Sequence, residues 1–503
     1  MARFSIKVVI LVMTFLLTGL LGGIFLYSHH LKLKTVKTTI ALTIAAVCAF
    51  PAAGMAAADT AGDSKPPAVS TTEQYGRNWA NWIQSHAYAL DRIQPETSVK
   101  GVIEKDRFKD LEFLKPLLID KKLVYLGENT HGAAEYSSSK VRLIQYLHQE
   151  LGYDVIAFES GLGNASAALA KSADSTPEQM MKEAIFGVWW SKETLPLFDY
   201  IKQTLATDKP LILSGFDMQI QSPYSEFVRD WIGSRDAKLA GTFADAEQEL
   251  GDWSFSEDEA GYAKVKPRLL ETYESMKTFV KENADKLKAD YPRNPHLIEM
   301  TQRVLDDRIE VIRTYTEANI RSNIALKKND ISPFRETVRM RDEMMANNLT
   351  WLAEQIYPDK KIIVWGHNVH IRKKNSAVLN SGYTGLSLMG ESMPARLKRQ
   401  SYVIGLYTYQ GEAANNMGQS YPIVKPERGS LEDILKQHGH PYTFVDIKYR
   451  KDKPGTSWMF EPRLSLDWGL MQESFIPRDQ FDGLLLIDTV HAPSYMRGKP
   501  GSQ

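Results

Sequence analysis

The stretch Leu123–Leu147, LVYLGENTHGAAEYSSSKVRLIQYL, decides the fold. It opens on a short apolar run, Leu123–Gly127, of the kind buried on both faces of a sheet. It closes as a helix: over Ser137–Leu151 the apolar residues Val141, Leu143, Ile144 and Leu147 recur at helical spacing. The joint between the two holds Glu128 and His131. A buried joint is a costly place for ionisable groups, because each must find a partner or lose its charge. Chemistry is one reason to accept that cost.

Outward from this stretch the same alternation continues. Further strands are expected at Val155–Glu159, Leu211–Phe216, Lys361–Trp365, Tyr402–Tyr407 and Leu484–Asp488, with helical stretches between them. The expected fold is α/β, a largely parallel central sheet flanked by helices. One block interrupts it. From about Phe243 to Tyr357 (243–357) there is no convincing strand, and Lys, Glu, Leu and Met recur in a helical period. This reads as a long helical insertion, either a packing subdomain or a wall over a pocket. The folded body is expected to span 76–488, after a polar, Pro-containing linker at 59–75 and before a C-terminal tail at 489–503.

Residues 1–58 read as an export region rather than as part of the fold. Val8–Tyr27 is uncharged over about the length that crosses a bilayer. A second pattern follows: Lys32, Lys34 and Lys37, an apolar run, then Ala56-Ala57-Ala58 before Asp59. Its basic, apolar and small-residue segments stand in signal-peptide order. A cleaved signal peptide at 32–58 is the preferred reading, and an N-terminal membrane anchor is the alternative; both place the folded body outside the cytoplasm, in the periplasm or secreted. The single cysteine, Cys48, lies inside this region, so the mature chain has neither a disulfide nor a thiol nucleophile. Across the 503 residues Lys plus Arg equals Asp plus Glu at 61 each, which gives no basic field for nucleic acid. The expected partner is a small molecule, and the oligomeric state is left open.

In an open α/β sheet, ligands sit beyond the carboxyl ends of the strands. Four of the expected strands end there in ionisable groups: Glu128 and His131, then Glu159, then Asp217, then His367 and His370 after Trp365. Singly these are weak signals, since a carboxylate at such an end commonly caps the next helix, and Asp217 reads first as a cap. Together they point to a site. Glu128 and His131 are three apart across a turn, where a carboxylate can hold one ring nitrogen and raise the basicity of the other. Gly127 and Gly132 are expected to let the backbone turn there. His367 and His370 would face opposite sides of an extended chain, so either the chain turns after Trp365 or one of them leaves the pocket.

The motifs LGENTHGAAEY, VIAFESGLG, GFDMQ, MRDEMMANNL and VWGHNVHI, in this order between roughly Lys121 and Asp488, resemble the erythromycin esterase family. The resemblance implies hydrolysis of a carboxylic ester or macrolide lactone without a metal or other cofactor. It carries the general base onto His131, with Glu128, Glu159, His367 and His370 as further catalytic residues. An arginine that the family uses in the following helix falls on Lys140, with Arg142 beside it; a Lys lacks the bidentate grip of an Arg. Lys140, Arg142, Asp217 and Trp365 are the expected substrate contacts, and His367 or Lys140 the expected oxyanion donor.

Residue type leaves other chemistries to compare with this one. There is no G-x-S-x-G elbow for a serine nucleophile. The Glu and His groups include enough donors for zinc, manganese or iron, which makes a metal-dependent hydrolase the main rival. A third class is a haem- or iron-binding protein of the same superfamily.

Overall fold

The computed structural model describes residues 71–96 and 107–496, with 71–75 described by their backbone alone. The export region of 1–58, and the expected linker as far as residue 70, lie outside the described residues. A helix over Thr71–His86 takes up the end of that linker. Among the described residues no helix is long and apolar enough to cross a membrane.

The strands, in chain order, are β1 (Tyr88–Ala89), β2 (Leu123–Leu126), β3 (Tyr153–Gly161), β4 (Ile212–Asp217), β5 (Lys361–Trp365), β6 (Ser401–Ala414), β7 (Ser420–Pro422), β8 (Tyr442–Asp446), β9 (Arg463–Asp467), β10 (Met471–Phe475) and β11 (Gly483–Val490). Nine of them form one sheet ordered β1-β8-β11-β6-β2-β5-β3-β4, with β7 on β6. The six strands expected from sequence, β2 to β6 and β11, are neighbours, and every pairing among them is parallel. The antiparallel β8 and β1 extend the β11 edge, and β9 with β10 makes a separate antiparallel hairpin. β11 runs on to Val490, into the stretch expected to be tail.

The strand residues divide between the two faces with period two, as a pleated strand requires. Val124, Leu126, Ile156, Phe158, Ile363 and Trp365 enter one core. Leu123, Tyr125, Val155, Ala157, Ile362 and Val364 enter the other. The first core is closed by helices Ala134–Leu151, Pro177–Ala184 and Leu195–Thr204, which contribute Ile144, Met181 and Phe198 among others. The second is closed by the helical block, through residues such as Val228, Tyr262, Met276 and Leu349. That block begins earlier than expected, at Ser222 just after β4, and continues to Ile356 before β5.

Strand order places the crevice. The chain leaves β2 toward β3 and β4 on one side, returns through β5, and crosses to β6 on the other side of β2. Connections therefore diverge around β2, and side chains at the carboxyl ends of β2, β3 and β5 meet at one edge of the sheet.

Candidate active site

The loop after β2 is pressed close to its neighbours. A Cβ on Gly127 would stand 2.0 Å from Asn368 Oδ1, and one on Gly132 would stand 1.9 Å from the carbonyl oxygen of Ala414. Neither glycine has a positive φ. Close approach, rather than the sharp turn expected from sequence, is what requires glycine at these two positions. The packing directs Glu128 and His131 inward. His131 Nδ1 lies 2.7 Å from Glu128 Oε1, which also accepts a hydrogen bond from Trp189 Nε1 at 2.8 Å. Glu128 Oε2 accepts from Lys140 Nζ at 2.6 Å. Burial opposes the Glu128 charge, but Lys140 and His131 outweigh it and hold the carboxyl below its ordinary range. An ionised Glu128 can only accept, which places the proton of a neutral His131 ring on Nδ1 and the lone pair on Nε2. Lys140 is fully buried, its ammonium 4.5 Å from the centre of the Trp365 ring; burial brings it down to about 8 although Glu128 pulls the other way.

After β5 the chain turns at once into the short helix Asn368–Ile371, with His367 as its N-cap. The turn brings both histidines to one side, since residues three apart on a helix are neighbours. His367 Nδ1 accepts from the Val369 N–H at 3.3 Å, which places the proton of a neutral ring on Nε2. That Nε2 is buried and has no hydrogen-bond partner among the described residues. First burial, then the positive neighbours, hold His367 well below the usual histidine range. His370 is the opposite case. Its Nδ1 lies 2.8 Å from Asp342 Oδ1 and its Nε2 3.2 Å from Glu159 Oε1. Burial works against its charge, but Asp342 and Glu159 prevail and push it up to about 10. Glu159 also accepts from Arg341 Nη2 at 3.1 Å and from the His367 backbone N–H at 2.8 Å. Burial opposes its charge too, but His370 and Arg341 hold it well below the carboxylate range.

Three histidines thus carry three electrostatic assignments. His370 is a fixed cation, His367 a neutral donor, and His131 a ring with one nitrogen held by a carboxylate. The His131 and His367 ring centres are 5.0 Å apart.

The sequence comparison agrees in kind. The erythromycin esterase family pattern matches residues 148–490. The chain belongs to the erythromycin esterase family. It is 37% identical over 431 residues to a Bacillus subtilis (strain 168) protein named "Putative hydrolase YbfO", covering 84% of this chain and 92% of that one. It is 20% identical over 362 residues to erythromycin esterase type II of Escherichia coli, covering 68% and 84%. Among solved structures, an erythromycin esterase EreC variant in its open conformation superposes with a TM-score of 0.53 at 18% identity, covering 82% and 97%. These findings make the chain a hydrolase of this family with the family's fold. Glu159, Asp217, Arg341, His367 and His370 lie within the span matched to the family, and Glu128 and His131 fall just ahead of it.

For this erythromycin esterase relative the structure sorts the expected site residues. Glu128, His131, Lys140, Glu159, His367 and His370 converge. Asp217 joins them by ion-pairing with Arg341 rather than capping a helix; its Oδ2 accepts from Arg341 Nε at 3.1 Å. Arg142 does not converge. It lies two residues after Lys140, about 200° around the helix, and there it binds Asp110 and the carbonyls of Arg92 and Arg107. Trp365 is fully buried beneath Lys140 and supports the floor. Arg341 and Asp342, on helix Ser332–Trp351, belong to the site although no role was assigned to them from sequence; the signal was their place in the motif MRDEMMANNL. The helical block is therefore a wall of the site as well as a packing element. Trp189, in an aromatic run at Gly187–Trp190 that suits an apolar ligand but is as a rule core, hydrogen-bonds Glu128 and meets His131 edge-on; Trp468, which no motif singles out, meets the same ring.

The donor set bears on metal binding. Lys140 and Arg341 occupy the carboxylates that a cation would need, and among the described residues no three His, Cys, Asp or Glu side chains are arranged to hold one. Both ring nitrogens of His370 are taken by carboxylates, which leaves it unsuited to ligate haem iron.

Proposed function

We propose that the protein is an exported hydrolase that cleaves a carboxylic ester or macrolide lactone with water activated by His131. The observation that carries this reading is the 2.7 Å contact between His131 Nδ1 and the buried Glu128, with the unpartnered His367 Nε2 close by. Water gives a proton to His131 Nε2 as its oxygen attacks the carbonyl carbon. Glu128 stabilises the imidazolium that forms, and His367 Nε2–H donates to the developing oxyanion. When the carbon–oxygen bond to the leaving alkoxide breaks, the alkoxide takes the proton from His131. Lys140, bound to Glu128, balances its charge rather than touching the oxyanion. His370, Arg341, Asp217 and Glu159 form an ion network that holds the His367 backbone in place.

The test is a panel of macrolides and simple esters with the His131→Asn variant. The variant is expected to melt as the parent does and to lose roughly two to four orders of magnitude in turnover. A folded variant with near-normal turnover would end the assignment.

A further inference from the structure

The β9–β10 hairpin ends in a turn that its residues do not favour. The Asp467 carbonyl accepts from the Leu470 N–H at 3.1 Å, and the two central residues, Trp468 and Gly469, have φ of 56° and 67°. Positive φ at both positions marks a type I′ turn, which takes Asn-Gly or Gly-Gly by preference. A tryptophan in the left-handed region is strained, and such strain persists only where the surroundings hold it. Here they do. The Trp468 N–H donates to the Asn129 carbonyl at 2.8 Å, and the Trp468 carbonyl accepts from Tyr421 Oη at 3.0 Å. Asn129 sits between Glu128 and His131, so the hairpin tip is tied to the loop that carries the base. The consequence is the placement of the indole. It lies along His367 with centroids 5.2 Å apart and planes 26° apart, and meets His131 edge-on at 5.4 Å.

We infer that Trp468 is a positioning residue for the hydrolysis proposed above: the strained hairpin turn sets its indole as a wall against His131 and His367, fixing both rings and shutting water off one face of His367. The groups facing His367 support this. His131 approaches from the loop after β2, Glu159 from β3, and His370 and Arg372 from its own turn. Glu159 favours an imidazolium there; burial first, then the cations His370 and Arg372, and His131 whenever it is protonated, disfavour it. The indole supplies part of that burial. It thereby helps to keep the donor on Nε2 in a neutral ring. The effect on turnover rests on the hydrolytic reading, whereas the effect on the rings does not.

The test uses Trp468→Asn, which creates the Asn-Gly pair that the turn prefers, with Trp468→Gly as a second strain-free variant, Trp468→Ala as the strained control and Trp468→Phe as the conservative one. Melting temperature, turnover against pH, and the nitrogen-15 titration of His367, assigned with His367→Gln, are measured on each. Trp468→Asn and Trp468→Gly lose the packing of the indole but shed the turn's strain, so each is expected to melt below the parent and above Trp468→Ala, which keeps the strain. Each is also expected to lose roughly tenfold or more in turnover and to titrate His367 about one pH unit higher. Trp468→Phe is expected to keep most of the turnover. An unmoved His367 titration in a folded Asn or Gly variant overturns the inference, whatever the turnover does. A Trp468→Ala protein that melts as high as Trp468→Gly overturns the assignment of strain. If the parent cleaves no ester, a shifted titration still supports the positioning role while the hydrolytic reading fails.

Discussion

Removing the Glu128 carboxylate without changing its shape separates what it does for stability from what it does for the reaction. In Glu128→Gln the side-chain oxygen can still accept from His131 and Trp189, but the amide N–H₂ faces Lys140 Nζ, donor against donor. Both members of the Glu128–Lys140 pair are essentially without solvent contact, at 1% and 0% exposure. Breaking a buried pair on one side costs about 3–5 kcal/mol, because the partner is left unpaired. At ~2.1 cal/mol/K of unfolding entropy per residue, a body of this size loses roughly 1 °C per kcal/mol, so the melting temperature should fall by about 3–5 °C. Lys140→Met should cost a similar amount for the mirror reason. The double variant Glu128→Gln/Lys140→Met removes both charges and should recover most of the loss. Turnover should not follow: it stays down by roughly two to four orders of magnitude in both variants that lack the carboxylate. Thermal melts and turnover on the same preparations decide the matter. A double variant that regains turnover together with stability would mean that Glu128 serves only to neutralise Lys140, and the base assignment would fall.

Three further outcomes are expected. His370, held at about 10 against an ordinary 6.5, contributes stability that is fully present below about 6.5 and is lost as pH rises through about 10; melting curves of His370→Gln should be flatter than the parent's across that window, and parallel curves would contradict the pairing with Asp342 and Glu159. Exhaustive chelation should leave turnover nearly unchanged, whereas loss restored by one particular divalent ion would favour a metallohydrolase. N-terminal sequencing of the exported protein should begin near Asp59; recovery of the Val8–Tyr27 segment in the membrane fraction would instead establish an anchor.

The parallel half of the fold was legible because strands buried on both faces must be apolar whatever their neighbours, so β2 to β6 and β11 announce themselves as short runs. Parallel strands also share one carboxyl edge, so Glu128, His131, Glu159, His367 and His370 could be gathered before any distance was known. The partnership of Glu128 with His131 was readable as well, being local to one loop. The rest depended on contacts between segments far apart in the chain. β8, β9 and β10 carry polar residues such as Thr443, Arg463 and Glu473 and exist as strands through their partners. Arg341 and Asp342 reach the edge only because the helical block folds back over it, and it is Asp342 and Glu159 that make a cation of His370 while burial leaves His367 neutral. Composition and spacing name the ionisable groups. Their protonation is set by desolvation and by charges a few ångströms away, and those are properties of the packed molecule alone.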